Sequence, residues 1–334
     1  MDTVDVIIPT YKPDKEFLEI LDMLKKQTVR PSHIIVLNTE EKYFDRLVYG
    51  SDFSKKHGNC KVYHHSKKEF DHGSTRNRGA KLSDADYFIM MTQDAVPADE
   101  KLIEKLLAPL KEKKAAVSYA RQLPKEGCNP IERFTRSFNY PEDSCIKGEK
   151  DKERLGIKTY FCSDVCAAYD KEIFVSLGGF IKRTLFNEDM IYAAKAAKAG
   201  YKIAYCGDAE VYHSHNYSAG EQFHRNFDLG VSQTDHPEVF SEFASEGEGV
   251  RMVKETAAYL WNNGYKRMLP KLFVLSASKW LGYRLGKGYR RLPDKLVLKF
   301  TSDPAYWKRK ALKRDVEHID GNRGYGKNPD KEGV

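Results

Sequence analysis

Apolar residues fall in short blocks separated by amphipathic stretches from the first residues of the chain onward. Val4 to Ile8 (V-D-V-I-I) reads as a strand closed by Pro9, and residues 14–27 place Phe17, Leu18, Leu21 and Leu24 at helical spacing. Ile34 to Leu37 is a second apolar strand, so the chain opens β-α-β. A helix is predicted over Asn77 to Leu82 burying Ala80, a strand over Tyr87 to Met91, a helix over Leu102 to Leu110 and a strand over Ala115 to Tyr119. Strands alternating with helices at short intervals imply a parallel sheet covered on both faces, and such sheets bind ligands at the carboxyl ends of their strands.

The periodicity is lost from Gln122 to Lys158, where Pro, Gly, Asn and charged residues dominate, and a long, partly mobile active-site loop is expected there. It returns as a strand over Tyr160 to Tyr169, a helix over Lys171 to Leu177 and a turn at Gly178-Gly179-Phe180. An Ala-rich helix over Asp189 to Ala199 stops at Gly200, and Lys202 to Tyr205 is a last strand. Beyond Gly220 the pattern is helical. The expected division is a catalytic domain over 1–235, a helical basic region over 236–315 and a disordered tail over 316–334.

Composition narrows the class. Among 334 residues, 41% are hydrophobic and 31% charged, and no apolar run reaches the roughly 18 to 20 residues of a bilayer span. The N-terminus runs straight into a strand without a basic n-region or cleavage site, which predicts a cytoplasmic protein. Six cysteines (Cys60, Cys128, Cys145, Cys162, Cys166, Cys206) show neither disulfide density nor paired C-x-x-C spacing and read as reduced thiols. The net charge of +8 is uneven: fifteen Lys/Arg against Asp294 and Asp303 between Lys266 and Arg314 make that stretch +13 and leave the remainder near −5.

Five motifs follow one another along the chain: I-I-P-T-Y-K-P at Ile7 to Pro13, F-D-H-G-S-T-R-N at Phe70 to Asn77, M-T-Q-D-A at Met91 to Ala95, F-N-E-D at Phe186 to Asp189 and V-Y-H-S-H-N-Y-S at Val211 to Ser218. Together they resemble glycosyltransferase family 2, the inverting GT-A enzymes, and within it the bacterial rhamnosyltransferases of cell-surface polysaccharide synthesis. The resemblance covers roughly residues 3 to 235. It implies a GT-A, Rossmann-like, mostly parallel central sheet with helices on both faces, followed here by the helical basic extension.

The same resemblance implies roles. Thr92-Gln93-Asp94 stands where the family carries Asp-x-Asp, so Asp94 is the expected carboxylate ligand of the Mg²⁺ or Mn²⁺ that bridges the donor's phosphates, with Thr92 replacing the first Asp and Gln93 beside it. Asp94 also suits a turn cap before Pro97. Asp189 is the expected general base and Glu188 its neighbour, which binds acceptor or holds nearby cations; acids at a helix start also suit the macrodipole. His213 and His215, at i and i+2 on an extended segment, share a side from which the metal shell can be completed, His213 first. Asp71, Gly73, Arg76 and Asn77 are assigned to donor recognition, a role compatible with a helix start capped by Ser74 or Thr75. Pro9, Thr10 and Tyr11, with Asn38 and Glu40, are expected to line the nucleobase side.

The predicted reaction moves a sugar, L-rhamnose from dTDP-rhamnose, onto a lipid-linked or oligosaccharide acceptor, with a UDP-hexose as the alternative donor. The processive Q-x-x-R-W motif is absent, which favours one or a few additions. A sugar-nucleotide pyrophosphorylase is the rival enzyme, through Gly73-Ser74-Thr75-Arg76, but its loop follows the first strand and this one lies beyond the second. A nucleic-acid-binding module is the other rival, through basic residues interleaved with Trp280, Tyr283, Tyr289 and Trp307. The apolar face built from Leu269, Leu272, Phe273, Leu275, Trp280, Leu281 and Leu285 favours instead an anionic membrane surface on the inner leaflet, with packing on the catalytic domain or a homo-oligomer as the alternatives, and no nucleic acid.

Overall fold

A computed structural model describes residues 2–243 and 246–309 of the chain. The expected tail over 316–334 and the end of the helical region at 310–315 lie outside the described residues. The chain runs β1 (Val4–Tyr11), α1 (Lys15–Lys25), β2 (Ile34–Thr39), α2 (Glu41–Val48), α3 (Phe53–Lys56), β3 (Cys60–His65), α4 (His72–Leu82), β4 (Tyr87–Met91) and β5 (Val96–Pro97). It continues through α5 (Leu102–Lys111), β6 (Val117–Leu123), α6 (Pro130–Asn139), β7 (Cys145–Lys147), α7 (Lys152–Leu155), β8 (Cys166–Asp170), α8 (Lys171–Ser176), α9 (Glu188–Lys198) and β9 (Ile203–Tyr212). Helices α10 (Ala219–Asp235), α11 (Pro237–Phe240), α12 (Glu246–Asn262), α13 (Leu269–Lys287) and α14 (Asp294–Phe300) follow.

The strands form one sheet in the order β3-β2-β1-β4-β8-β6-β9-β5, with β7 also paired to β9. It is parallel from β3 to β4. Beyond β4 it is mixed: β8 runs antiparallel to both β4 and β6, β6 and β9 are parallel, and β5 and β7 run antiparallel to β9. Alternation along β1 sends Val4, Val6 and Ile8 to one face, where α1 and α5 cover them with Phe17, Leu21, Leu102 and Leu106. Ile7 points the other way, into a layer with Phe88, Tyr169, Phe174, Tyr192 and Ala193 under α4, α8 and α9. Both faces are buried, which is why β1, β2 and β4 read as nearly continuous apolar runs.

Three departures from the pattern have local causes. The stretch predicted as a loop over 122–158 contains α6, opened by Asn129, whose side-chain oxygen accepts from the backbone N–H groups of Ile131 (3.0 Å) and Glu132 (3.1 Å), with Pro130 in the first turn. The strand predicted over 160–169 is confined to β8, because a 3₁₀ turn occupies Gly156–Tyr160. The last strand extends to Tyr212 instead of ending at Tyr205: pairing with β6 jumps from Ala120 opposite Cys206 to Arg121 opposite Glu210, an irregularity over Gly207, Asp208 and Ala209 that breaks the apolar alternation without ending the strand.

The helical C-terminal region is packed onto this body. Gly282 and Gly286 of α13 face α10, where a Cβ would lie 2.3 Å from the Phe223 carbonyl oxygen and 2.1 Å from that of Phe227, so the two helices meet backbone to backbone. Leu272 and Leu275 join Ile131 and Leu260 in a small core between α6, α12 and α13. Among the described residues no helix is long and apolar enough to cross a membrane.

Candidate active site

The carboxyl ends of β1, β2 and β4 open on one side of the sheet, and the side chains there are tied together. Thr10 donates its hydroxyl to Asn38 Oδ1 at 3.0 Å, and Asn38, fully buried, meets His64 Nδ1 at 3.0 Å. Gln93 bridges the two neighbouring strand ends: its Oε1 accepts from the Tyr11 N–H (2.8 Å) and its Nε2 donates to the Tyr11 carbonyl (3.1 Å). The Tyr11 ring packs edge-on against Tyr43 at 5.6 Å, with Lys12 and Lys67 at 5.3 and 5.4 Å from its centre. Glu40 adopts a left-handed φ of 65° and accepts the Lys67 N–H at 2.7 Å. Pro9 pairs with Leu37 within the sheet.

Past β4, Asp94 sits on the tight turn before β5, and β9 delivers His213 and His215 to it. His213 remains in the ladder through its N–H to Leu123 O (2.9 Å). Asp94 Oδ2 lies 3.0 Å from His215 Nε2 and 3.5 Å from His213 Nε2, and one ligand atom from each of the three residues falls within 4.8 Å of the others. Burial alone would raise the Asp94 carboxyl, but the two imidazoles hold it far below the usual carboxylate range; burial also lowers His213. The second imidazole is steadied by Tyr217, stacked on His215 at 4.9 Å with Arg225 over its other side at 4.7 Å.

A shell behind His213 fixes its tautomer. Gln122 is buried; its Oε1 accepts from Arg136, which can only donate, and its Nε2 donates to Tyr140 Oη (2.6 Å) and Ser163 Oγ (3.0 Å). With the amide so oriented, the 3.0 Å contact between Gln122 Oε1 and His213 Nδ1 requires a proton on Nδ1, so that when the imidazole is neutral Nε2 is the nitrogen left free to bind an ion. Arg136 is in turn held by Glu132 at 2.6 Å. A carboxylate oxygen and two imidazole nitrogens aimed at one point form a fitting partial shell for a divalent ion.

The second half of the site gathers at the start of α9. Asn187 takes a left-handed φ of 69°, a conformation asparagine tolerates, and turns the chain into the helix. Asp189, half-buried, accepts the Met190 N–H (2.7 Å) on one oxygen and the Asp164 N–H (3.1 Å) on the other. Glu188 is buried against Arg76 Nη1 at 3.0 Å, and Arg76 Nε meets Asp164 Oδ2 at 2.9 Å. Tyr169 donates to the other Asp164 oxygen at 2.5 Å. Three carboxylates thus surround one guanidinium. Desolvation, with the like charges of Glu188 and Asp164, pushes Asp189 well above the usual carboxylate range; burial raises Asp164 to about 6 against the pull of Arg76. Residues 163–165 join the two halves, since Val165 O accepts the Thr92 N–H at 3.0 Å.

Of the residues assigned to the donor, Arg76 therefore stands among carboxylates, 8% exposed. Asp71 caps α4, accepting from the N–H of Ser74 (2.8 Å) and of Arg183 (3.2 Å). Asn77 clasps the Phe180 backbone through both ends of its amide at 2.8 and 2.9 Å. At Gly73 a Cβ would lie 1.8 Å from the Ile181 carbonyl oxygen, so the close approach there is to the chain's own backbone. The sequence reading missed Gln122, Arg136, Asp164 and Tyr217. The Asn129-Pro130 capping signal would have located the helix that carries Arg136.

With this geometry in hand the relatives are informative. Residues 5–178 match the description of glycosyl transferase family 2. Over 306 residues, 91% of this chain and 96% of its own length, the O-antigen chain rhamnosyltransferase RfbN of Salmonella typhimurium is 39% identical. The O-antigen chain rhamnosyltransferase WbaN of Salmonella anatum is 36% identical over 310 residues, 92% of this chain and 96% of its own. A mannosyltransferase of Pyrobaculum calidifontis, solved with GDP-mannose and Mn²⁺, superposes with a TM-score of 0.54 at 14% identity, covering 84% of this chain and 87% of that one, a likeness of fold. The mixed sheet, the strand-end cluster and these relatives together place the chain in glycosyltransferase family 2, with its GT-A fold.

Proposed function

We propose that the chain transfers L-rhamnose from dTDP-β-L-rhamnose, with inversion, to a hydroxyl of a lipid-linked glycan in surface polysaccharide synthesis. The observation that carries the chemistry is the joining, through residues 163–165, of a proton-accepting carboxylate at Asp189 to the Asp94, His213 and His215 cluster. The choice of rhamnose rests on the two rhamnosyltransferases related along nearly the whole chain. In the displacement, the acceptor O–H proton passes to Asp189 as its oxygen attacks the anomeric carbon. The bond from that carbon to the β-phosphate oxygen breaks, and dTDP leaves with the electron pair. A β-linked donor then gives an α-rhamnoside.

Asp94, His213 and His215 would hold the cation, which when bound neutralises charge developing on the leaving diphosphate. Two nitrogen ligands out of three favour Mn²⁺ over Mg²⁺. Tyr11, its lysines and Glu40 form the nucleotide side in this reading. Arg76 keeps Glu188 in place, and Glu188 and Asp164 tune Asp189. The chain works peripherally, on the cytoplasmic face of an anionic membrane where a lipid-linked acceptor is displayed.

A nucleotide-release assay offering dTDP-rhamnose, UDP-glucose, UDP-galactose and UDP-N-acetylglucosamine with Mn²⁺ or Mg²⁺ tests this. Release is expected from dTDP-rhamnose, faster with Mn²⁺, and lost in excess chelator. Turnover of a UDP-hexose in place of dTDP-rhamnose would overturn the donor, and undiminished turnover in chelator would remove the metal.

A further inference from the structure

Helix α13 carries apolar residues on more than one side, yet only one of its sides is packed on the body. Gly282, Gly286, Leu272 and Leu275 face α10, α6 and α12, as described above. On the opposite side Phe273 is 74% exposed, Trp280 59% and Leu281 47%, spaced i, i+7 and i+8 with Ala277 between them, so they form one stripe. The face expected from the sequence thus divides in two: Leu269, Leu272, Leu275 and Leu285 hold the helix to the body, and Phe273, Trp280 and Leu281 look outward. Aromatic rings left in water on one continuous helix face mark a docking surface.

We propose that this stripe is the surface by which the protein lies on a bilayer containing anionic lipid. Charge decides the occupant. Exposed Lys266, Arg267 and Lys271 flank the stripe at its N-terminal end and Lys287 and Arg291 at the other, and between 266 and 309 the acids are Asp294 and Asp303 alone. A convex face of Phe and Trp rimmed by lysine and arginine fits a fluid interface, where the rings sink to headgroup depth and the cations meet phosphates. Four basic residues within its 19 keep α13 on the surface and out of the hydrocarbon.

The placement also serves the site. The next side of the same helix, with Lys271 and Val274, forms one wall of an open cleft of about 570 Å³ whose other wall is Tyr217, Ser218 and Ala219. Tyr217 stacks on His215, so a protein lying on α13 brings the mouth of this cleft, and with it the metal cluster, to the lipid headgroups. The biological sense of the docking rests on the reading of the protein as a transferase for a lipid-linked acceptor; the docking itself is measured without turnover.

The test is co-sedimentation of the full chain with vesicles of phosphatidylcholine, with or without phosphatidylglycerol, beside transfer to a soluble acceptor sugar. Wild type should pellet with the anionic vesicles at low salt, less as salt rises, and stay in solution with the neutral ones. Phe273→Ala combined with Trp280→Ala should weaken that binding by about ten-fold or more while transfer to the soluble acceptor is kept. Tyr49→Ser, at an exposed aromatic far from α13 in sequence, should leave it unchanged. Equal binding by the double variant and wild type would overturn the proposal, as would a wild-type dimer that the double variant dissociates, which would make a second copy the occupant. Vesicle binding as described, with no transfer from any donor, would leave the docking standing and remove the transferase reading.

Discussion

At the scale of single residues, the proposed transfer turns on the proton balance at Asp189. Its carboxyl is raised by burial and by Glu188 and Asp164, and only its deprotonated form can accept the hydroxyl proton. The rate should therefore climb with pH through the raised value, its acid limb lying above the ordinary carboxylate range. Asp189→Asn is expected to cost roughly 10²- to 10⁴-fold in turnover with nucleotide-sugar affinity kept. Glu188→Gln removes one like charge and leaves the base in place, so the acid limb of kcat/KM should move to lower pH; a limb that stays put would show that burial alone sets the value. Some of this was legible in the sequence and some was not. Asp94, His213, His215 and the Glu188-Asp189 pair were singled out through their resemblance to the family's motifs, at places where strands end and a helix begins. Gln122 and Arg136 lie in the stretch without a hydrophobic period, Asp164 was read only as part of a strand, and their importance comes from partners 91, 14 and 88 positions away, which no local pattern encodes.

At the scale of elements, the helices that carry the site depend on close backbone contacts. Gly286 lets α13 meet Phe227 and Gly230 of α10, where an added Cβ would come within 2.1 Å and 3.1 Å of their atoms. Gly286→Ala should separate the pair and lower stability by roughly 1–3 kcal/mol, read as a shift in the denaturation midpoint, because overpacked backbone cannot repack as side chains do. The strands were the most legible elements, with β1, β2 and β4 nearly continuous apolar runs. The edge strand β3 was missed: C-K-V-Y-H-H is half-buried along its length and carries little apolar signal. The direction of β8 was equally hidden, since an antiparallel strand buried on both faces has the same composition as a parallel one.

At the scale of the molecule, the basic region is structurally bound to the catalytic body. Asp228, fully buried in α10, accepts from Thr301 Oγ1 (2.7 Å) and from the Ser302 N–H (2.8 Å). A chain ending at Gly264 would lose both partners and the leucine and glycine contacts of α13, leaving a buried carboxylate unpaired. It is expected to lose its cooperative melt and to aggregate; a truncated chain that melts cooperatively at the wild-type temperature would show the region to be an independent appendage. Docking is for that reason better probed by point changes on the outer face of α13 than by deletion.

Arg76, paired with Asp164 and Glu188 and close to Asp189, sets the charge that this corner of the site prefers. Above the pH at which Asp164 and Asp189 ionise, three carboxylates against Arg76 and His72 leave this corner with an excess of negative charge, which disfavours phosphate and favours positive charge. The same field would draw in a protonated nitrogen set where positive charge develops on the anomeric carbon, so a cationic imino-sugar should recognise this corner better than its neutral counterpart.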